Sequence, residues 1–269
     1  MRIAAVSDIH GNLLALDAVL DDIAASGADV TVNLGDIVSG PLWIAATADR
    51  LMALTLPTIR GNHERQVLTF APERMGPSDA FAAEHLQPHQ RDWLRSLPRT
   101  LQLSDEVFCC HGTPASDLQY FMETVVPGYA AAVHPGVRAA TPAEAGERAG
   151  ATMRGVAHGV ILCGHTHVPR VMRLADGRLV VNPGSVGLQA FDDTHPHPHV
   201  VENASPHARY AMLTRRPSGW QVELRAVPYD HEAAARVAEA NARPDWADAL
   251  RTGFVGRWEG DAAAPPSGP

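Results

Sequence analysis

Residues 2–36 read RIAAVSDIHGNLLALDAVLDDIAASGADVTVNLGD, and this stretch predicts a buried strand, a helix and a second buried strand. The apolar run 2–7 ends at Asp8. Apolar side chains then recur at three- and four-residue spacings through residues 12–25, which is typical of a helix that packs by one face. A second apolar run, 29–34, ends at Gly35-Asp36. Alternating strands and helices predict parallel strands joined by right-handed crossovers.

The same arrangement recurs along the chain, where short polar blocks follow apolar runs. The blocks are Asp8-Ile9-His10, Gly35-Asp36, Gly61-Asn62-His63-Glu64, His111-Gly112 and Gly164-His165-Thr166-His167. Because the carboxyl ends of parallel strands meet at one edge of a sheet, we expect these side chains to converge there. Carboxylates combined with imidazoles suit Mn, Zn, Fe or Co, whereas Mg and Ca prefer sites made of oxygen.

The blocks supply more ligands than a single ion uses, which predicts two metal ions. Asp36 is the natural shared ligand because its carboxylate stands alone in its block, and Asn62 offers a neutral oxygen. Two divalent ions, two carboxylates and a bridging hydroxide leave about one net positive charge, which suits a phosphoryl group. His63 is the candidate general acid, since it adjoins Asn62 and a histidine titrates in the useful pH range.

The remaining sequence predicts one α/β domain over residues 1–258. A short strand is expected at 57–60, helical pieces up to residue 96, and strands at 99–103 and 107–110. From residue 170 antiparallel pairs are expected at 170–174 with 178–182 and at 208–214 with 219–227, followed by helices near 230–241 and 244–252. The Ala/Pro/Gly-rich segment 259–269 is predicted to be a disordered tail.

Composition excludes several classes of function. The 269 residues carry a formal net charge of −8, which disfavours stable nucleic-acid binding. No apolar run approaches the ~20 residues needed to cross a bilayer, and Met1 leads almost directly into a strand, so neither a membrane span nor a leader peptide is expected. Three cysteines, two of them adjacent, cannot form a disulfide framework, which favours the cytoplasm.

With all blocks in this order, the chain resembles the calcineurin-like metallophosphoesterases, specifically their small bacterial and archaeal phosphodiesterase branch. The resemblance covers residues 1 to about 230 and implies a four-layer αββα sandwich of two mixed β-sheets flanked by helices, with a dinuclear site at the carboxyl edge of the strands. It implies His63 as the acid, and two divalent ions, with Mn favoured and Zn, Fe, Co or Ni as alternatives. One ion would be held by Asp8, His10, Asp36 and His167, and the other by Asp36, Asn62, His111 and His165.

Departures from the wider family indicate the substrate. Protein phosphatases carry Asp-Arg-Gly after the second block, whereas this chain reads Asp36-Ile37-Val38, which argues against a protein substrate. The prediction is a phosphodiesterase for small nucleotide-like metabolites. A phosphomonoesterase, a dinucleoside polyphosphate hydrolase and a catalytically silent scaffold remain as alternatives.

Substrate contacts are less defined by the sequence. Arg60 and Arg65 flank the third block and are tentative phosphate contacts. Segments 113–150 and 190–207 exceed a minimal core, and they would set specificity if they fold over the metal edge. The expected partner is a small phosphorylated substrate, with neither nucleic acid nor membrane, and self-association into a homo-oligomer is left open.

Overall fold

The computed structural model describes residues 1–259. Its strands are β1 (Arg2–Val6), β2 (Val30–Asn33), β3 (Thr100–Ser104), β4 (Val107–Cys110), β5 (Glu123–Val125), β6 (Val137–Ala139), β7 (Val160–Leu162), β8 (Arg170–Arg173), β9 (Leu179–Asn182), β10 (Ala190–Asp193), β11 (His199–Glu202), β12 (Ala208–Arg216) and β13 (Gly219–Val227). Its α-helices are α1 (Leu13–Ser26), α2 (Ile44–Leu54), α3 (Asn62–Thr69), α4 (Pro77–His85), α5 (Pro88–Ser96), α6 (Pro142–Ala149), α7 (His231–Ala240) and α8 (Pro244–Thr252), and Pro72–Arg74 forms a 3-10 turn.

Two mixed sheets form the centre of the molecule. The first has the strand order β13-β12-β1-β2, in which only β1 and β2 are parallel to each other. The second has the order β3-β4-β7-β9-β8, with β4, β7 and β9 parallel and the two outer strands antiparallel to them. Two short hairpins, β5–β6 and β10–β11, lie outside both sheets.

Alternating side chains give each sheet two apolar faces. Ile3 and Ala5 of β1 join a buried cluster with Cys109 of β4 and Leu162 of β7, so the two sheets pack face to face. Ala4 and Val6 point the other way, into a cluster with α1, α2 and α5. Outward-facing residues of the second sheet pack against α6. The expected four-layer αββα sandwich of two mixed sheets is therefore confirmed.

The secondary structure departs from the predictions mainly in short segments. The strand expected at 57–60 is a single parallel bridge between Asn33 and Thr58. It ends there because the Arg60 amide donates to Pro98 O and leaves the sheet. Segments 113–150 and 190–207 contain the β5–β6 and β10–β11 hairpins, which periodicity did not reveal because their strands have only three or four residues.

Two further expectations concern the ends of the chain and its surroundings. Of the segment 259–269, only Glu259 lies within the described residues, where its carboxylate accepts hydrogen bonds from Ser78 Oγ and Arg243 Nη2; residues 260–269 lie outside them. Among residues 1–259, no helix is long and apolar enough to cross a membrane.

Candidate metal centre

The polar blocks meet at one edge of the sandwich, where β1 and β2 of one sheet and β4 and β7 of the other all end. Every one of the predicted ligands reaches this edge and is almost fully buried, except His165, which is half-buried; they are Asp8, His10, Asp36, Asn62, His111, His165 and His167. Within the second sheet Gly164 N donates to His111 O, and His111 Nδ1 donates to Leu34 O at the end of β2, which joins the second sheet to the first.

The backbone is strained where it delivers these side chains. Five of the seven residues have left-handed conformations, with φ between 51° and 69°: Asp8, His10, Asp36, His165 and His167. For residues other than glycine such conformations cost about 1–3 kcal/mol each and concentrate at functional sites. Gly164 permits the close approach of the two sheets, since a Cβ there would lie 1.9 Å from Ser7 Oγ.

The ligand atoms form two adjacent groups. The first ligand group is Asp8, His10 and His167. The second ligand group is Asp36, His111 and His165, and Asn62 is added to it because of the contacts described below. Within each of the two sets of carboxylates and histidines, the candidate ligand atoms lie within 4.8 Å of one another. The groups adjoin, with Asp8 Oδ1 3.9 Å from His111 Nε2.

Three of the imidazole rings donate a hydrogen bond from the nitrogen that faces away from the centre, which leaves a lone pair on the nitrogen that faces the centre. The Nδ1 atoms donate to backbone carbonyls at 2.7–2.8 Å, in the pairs His10 with Ser39, His111 with Leu34 and His167 with Leu188. In a neutral ring each Nε2 is therefore an acceptor. His10 Nε2 and His167 Nε2 nevertheless face each other at 3.1 Å, an arrangement that a cation between lone pairs explains.

The second ligand group shows the same convergence with the ring of His165 reversed. Its Nε2 donates to Leu118 O at 3.0 Å, which leaves Nδ1 facing inward. The Asn62 oxygen, as placed, lies 3.0 Å from that Nδ1, 3.1 Å from His111 Nε2 and 3.3 Å from Asp36 Oδ2. A reversed amide would donate to these atoms, but four converging lone pairs are what a metal ion requires. The donor set therefore fits two metal ions.

Glu64 holds two of the ligand-bearing loops in place. It is fully buried, and its carboxylate accepts from the amides of Asp36 at 2.9 Å, Ile37 at 2.7 Å and Gly61 at 2.8 Å. Burial raises the pKa of Glu64, while the Gly61 and Ile37 amides favour its ionised form. The sequence predicted no role for Glu64, although its place three residues after Gly61, the residue that precedes α3, is that of a capping glutamate.

Glu64→Gln is expected to destabilise the fold by about 2–4 kcal/mol, because the side-chain NH₂ would face at least one buried amide, and each orphaned buried donor costs about 1–3 kcal/mol. Denaturant-induced unfolding measures this change in the free energy of unfolding. Glu84→Gln, at an exposed site, is the control and should shift it by less than about 0.5 kcal/mol. Equal small shifts for both variants would contradict the role assigned to Glu64.

His63 lies beside the same centre but is not part of either ligand group. Its Nε2 lies 4.0 Å from Asp36 Oδ2, and its Nδ1 donates to Asp79 Oδ1 at 2.7 Å. Burial opposes protonation of the ring, but Asp79 and Asp36 outweigh it and raise the pKa of His63 to about 10. Asp79 was missed from the sequence, because it lies 16 residues away on another helix and belongs to no motif.

A cavity of about 1050 Å³ opens over the centre. Parts of both long segments line it, with Tyr120 and Glu123 from 113–150 and Phe191 and Asp192 from 190–207. The two tentative phosphate contacts, Arg60 and Arg65, do not line this cavity. Arg65 instead makes a two-point ion pair with Asp117.

Comparison with known proteins agrees with this geometry. Residues 1–202 match the family model described as the calcineurin-like phosphoesterase superfamily domain. An uncharacterized protein of Methanocaldococcus jannaschii is 25% identical over 268 residues, which cover 91% of this chain and 94% of that protein.

Solved structures share the fold. A metallophosphoesterase from Sphaerobacter thermophilus superimposes with a TM-score of 0.66 at 22% identity, covering 92% of this chain and all of that one. A putative diadenosine tetraphosphatase superimposes with a TM-score of 0.52 at 19% identity, covering 84% of this chain and 94% of that one.

Proposed function

The chain belongs to the calcineurin-like phosphoesterase superfamily, and on that premise we propose that it is a metal-dependent phosphodiesterase for small nucleotide-like metabolites. The observation that carries the proposal is the convergence of seven donor side chains into two adjacent ligand groups, with His63 beside them. A catalytically silent scaffold would have no need to keep both the donors and the acid.

The ligand groups assign the metal sites. One ion would be held by the first ligand group together with Asp36, and the other by the second ligand group, with Asp36 shared. Asp36 Oδ1 accepts the His63 amide at 3.0 Å, which fixes the orientation of the carboxylate that would be shared. The carboxylate and amide oxygens of the donor set suit Mn, which we favour, and its imidazoles admit Zn, Fe, Co or Ni.

Bound there, two divalent ions would supply Lewis acidity that polarises the phosphoryl group and lowers the pKa of water. The remaining chemistry belongs to His63. Asp79 accepts from Nδ1 and fixes the direction of the ring, which leaves Nε2 to hold a proton facing the centre. We assign Nε2–H the transfer of that proton to the departing alcohol oxygen, since an unprotonated alkoxide is a poor leaving group.

The cavity supports a substrate of nucleotide size. Its volume lies at the upper end of typical small-molecule sites, which span about 300–1000 Å³. Three aromatic rings line it beside the ligand histidines, with Tyr120 against His165, Phe191 against His167 and Trp246 against His10 at centroid distances of 4.7–5.9 Å. Aromatic surfaces favour planar groups such as bases.

Charges on the cavity wall support a diester over a monoester or a polyphosphate. Asp192 and Asp193 line it, and within residues 1–259 neither pairs with an arginine or a lysine. Burial raises the pKa of Asp192 to about 6, so it is still mostly ionised at pH 7. The lining also carries Arg74, Arg148 and Arg257, but its carboxylates outnumber these arginines, so the wall repels additional negative charge. We therefore disfavour dinucleoside polyphosphates, although the fold matches a putative diadenosine tetraphosphatase.

We expect a higher kcat/KM for bis-nitrophenyl phosphate than for nitrophenyl phosphate, and no activity on phosphoserine proteins. Both esters would be assayed at one pH with each of Mn, Zn, Fe, Co and Ni. Arg74, an exposed arginine on the cavity lining, is tested alongside, since Arg74→Ala should leave the preference unchanged. A monoester preference would overturn the proposed substrate class, and loss of monoester activity alone in the Arg74 variant would reveal an arginine clamp.

We also propose that the enzyme works in the cytoplasm on free metabolites, apart from nucleic acid and membrane. All three cysteines are buried and unpaired, as expected in a reducing compartment.

A further inference from the structure

We propose that the Arg65–Asp117 ion pair is a positioning pair that sets the affinity of the second ligand group for its metal ion while leaving the first group unaffected. The inference rests on the proposed function only in taking the two groups as metal sites. Arg65 was a tentative phosphate contact, and the structure gives its guanidinium a different partner.

The outer nitrogen of His165 determines how this ligand is oriented. Its Nε2–H donates to Leu118 O, and this bond is what directs Nδ1 toward the second ligand group. A ligating imidazole is oriented by the acceptor on its other nitrogen, which also selects the tautomer. Position and direction of the Leu118 carbonyl therefore control this ligand.

Side-chain packing does not hold that carbonyl in place. The Leu118 side chain is 52% exposed, so it is not anchored in a core. Ser116 Oγ accepts from the amides of Leu118 and Gln119, both at 3.2 Å, but these bonds lie within the loop itself. The loop needs a contact with another part of the chain.

The ion pair supplies this contact. Arg65 Nε donates to Asp117 Oδ2 at 2.6 Å and Nη2 donates to Oδ1 at 3.1 Å. Apart from the His165 bond, these are the hydrogen bonds that tie residues 116–119 to a distant segment of the described chain. The side chains are 29% and 19% exposed, and two-point pairing restricts orientation as well as distance.

Helix α3 carries both the arginine of the ion pair and a member of the second ligand group. Arg65 lies on α3 three residues after Asn62, a member of the second ligand group. An outward movement of the 116–119 loop would turn His165 away from Asn62. Among residues 1–259 no hydrogen bond joins the first ligand group to this loop, and its histidines donate instead to Ser39 O and Leu188 O.

Mn²⁺ binding to metal-free protein tests the proposal, by equilibrium dialysis with electron paramagnetic resonance. His167→Ala removes a ligand of the first group and His165→Ala removes a ligand of the second. These two variants identify which dissociation constant belongs to which site. In Asp117→Asn and Arg65→Gln the second-group constant should rise by up to about 10-fold, the lower end of the range for losing an outer hydrogen-bond partner, because the Leu118 carbonyl is displaced and not removed; the first should stay unchanged. Arg65→Lys should fall between these variants and the wild type, because lysine keeps the charge without the fork.

Glu106→Gln is the matched control. Glu106 forms a two-point ion pair with Arg215 at similar exposure, 28% and 24%, away from the metal centre. It should lower the thermal midpoint about as much as Asp117→Asn and leave both affinities unchanged. Equal weakening of both sites, or no weakening, would overturn the inference. Wild-type protein that binds none of Mn²⁺, Zn²⁺, Fe²⁺, Co²⁺ and Ni²⁺ would instead overturn the proposed function, and this outcome is distinct because it appears without any substitution.

Discussion

Asp36→Asn is expected to lower the occupancy of both metal ions and to reduce turnover by more than about 100-fold. Changes to groups that merely orient a ligand cost about 10–100-fold, and this substitution removes the charge of a ligand shared by both ions. The asparagine would still fit, but it offers one oxygen where Asp36 now uses Oδ1 for the His63 amide and Oδ2 toward His111.

Elemental analysis after Mn²⁺ loading, with turnover on the same samples, measures this effect. Asp17→Asn, a partly exposed carboxylate in an ion pair with Arg50, is the control and should keep two ions and full activity. Loss of one ion with the other retained would contradict a shared Asp36. An active wild-type protein that holds a single ion would contradict the dinuclear site itself.

His63→Ala is expected to reduce turnover by about 10²–10⁴-fold, the usual contribution of a general acid, while metal content is unchanged. The loss should be largest for alkyl esters and much smaller for nitrophenyl esters, whose phenolates hardly need a proton. This dependence on the leaving group separates proton transfer from phosphate binding.

Paired kinetics on an alkyl and a nitrophenyl diester give the ratio of losses. Asp79→Asn should show the same pattern with a smaller loss, since it removes the negative charge beside Nδ1 and leaves Nε2 in place. His89→Ala, an exposed histidine on α5, is the control and should change neither substrate. Equal losses on both esters would indicate that His63 positions the phosphate instead.

The positions of the candidate ligands at the carboxyl edge were predictable because their signals are local, whereas the four-layer sandwich was implied by the family resemblance. A buried strand is an apolar run, and a polar residue directly after it lies at the carboxyl edge of the sheet whatever else the chain does. Asp8 after β1 and His111 after β4 follow from this rule alone. The parallel bridge at Thr58, by contrast, was predicted as a strand, because an apolar run does not reveal that the Arg60 amide bonds elsewhere.

Sequence alone determined which side chains could bind metal and which could act as an acid, since residue type and order along the strands carry that information. Only the tertiary structure decided how they are held. Asp79 contacts His63 because α4 packs beside α3. Glu64 accepts hydrogen bonds from three amides in two loops. Asp117 forms an ion pair with Arg65, which had been expected to contact phosphate. These contacts join distant segments at distances below 3 Å, and such distances depend on packing rather than on any pattern within one segment.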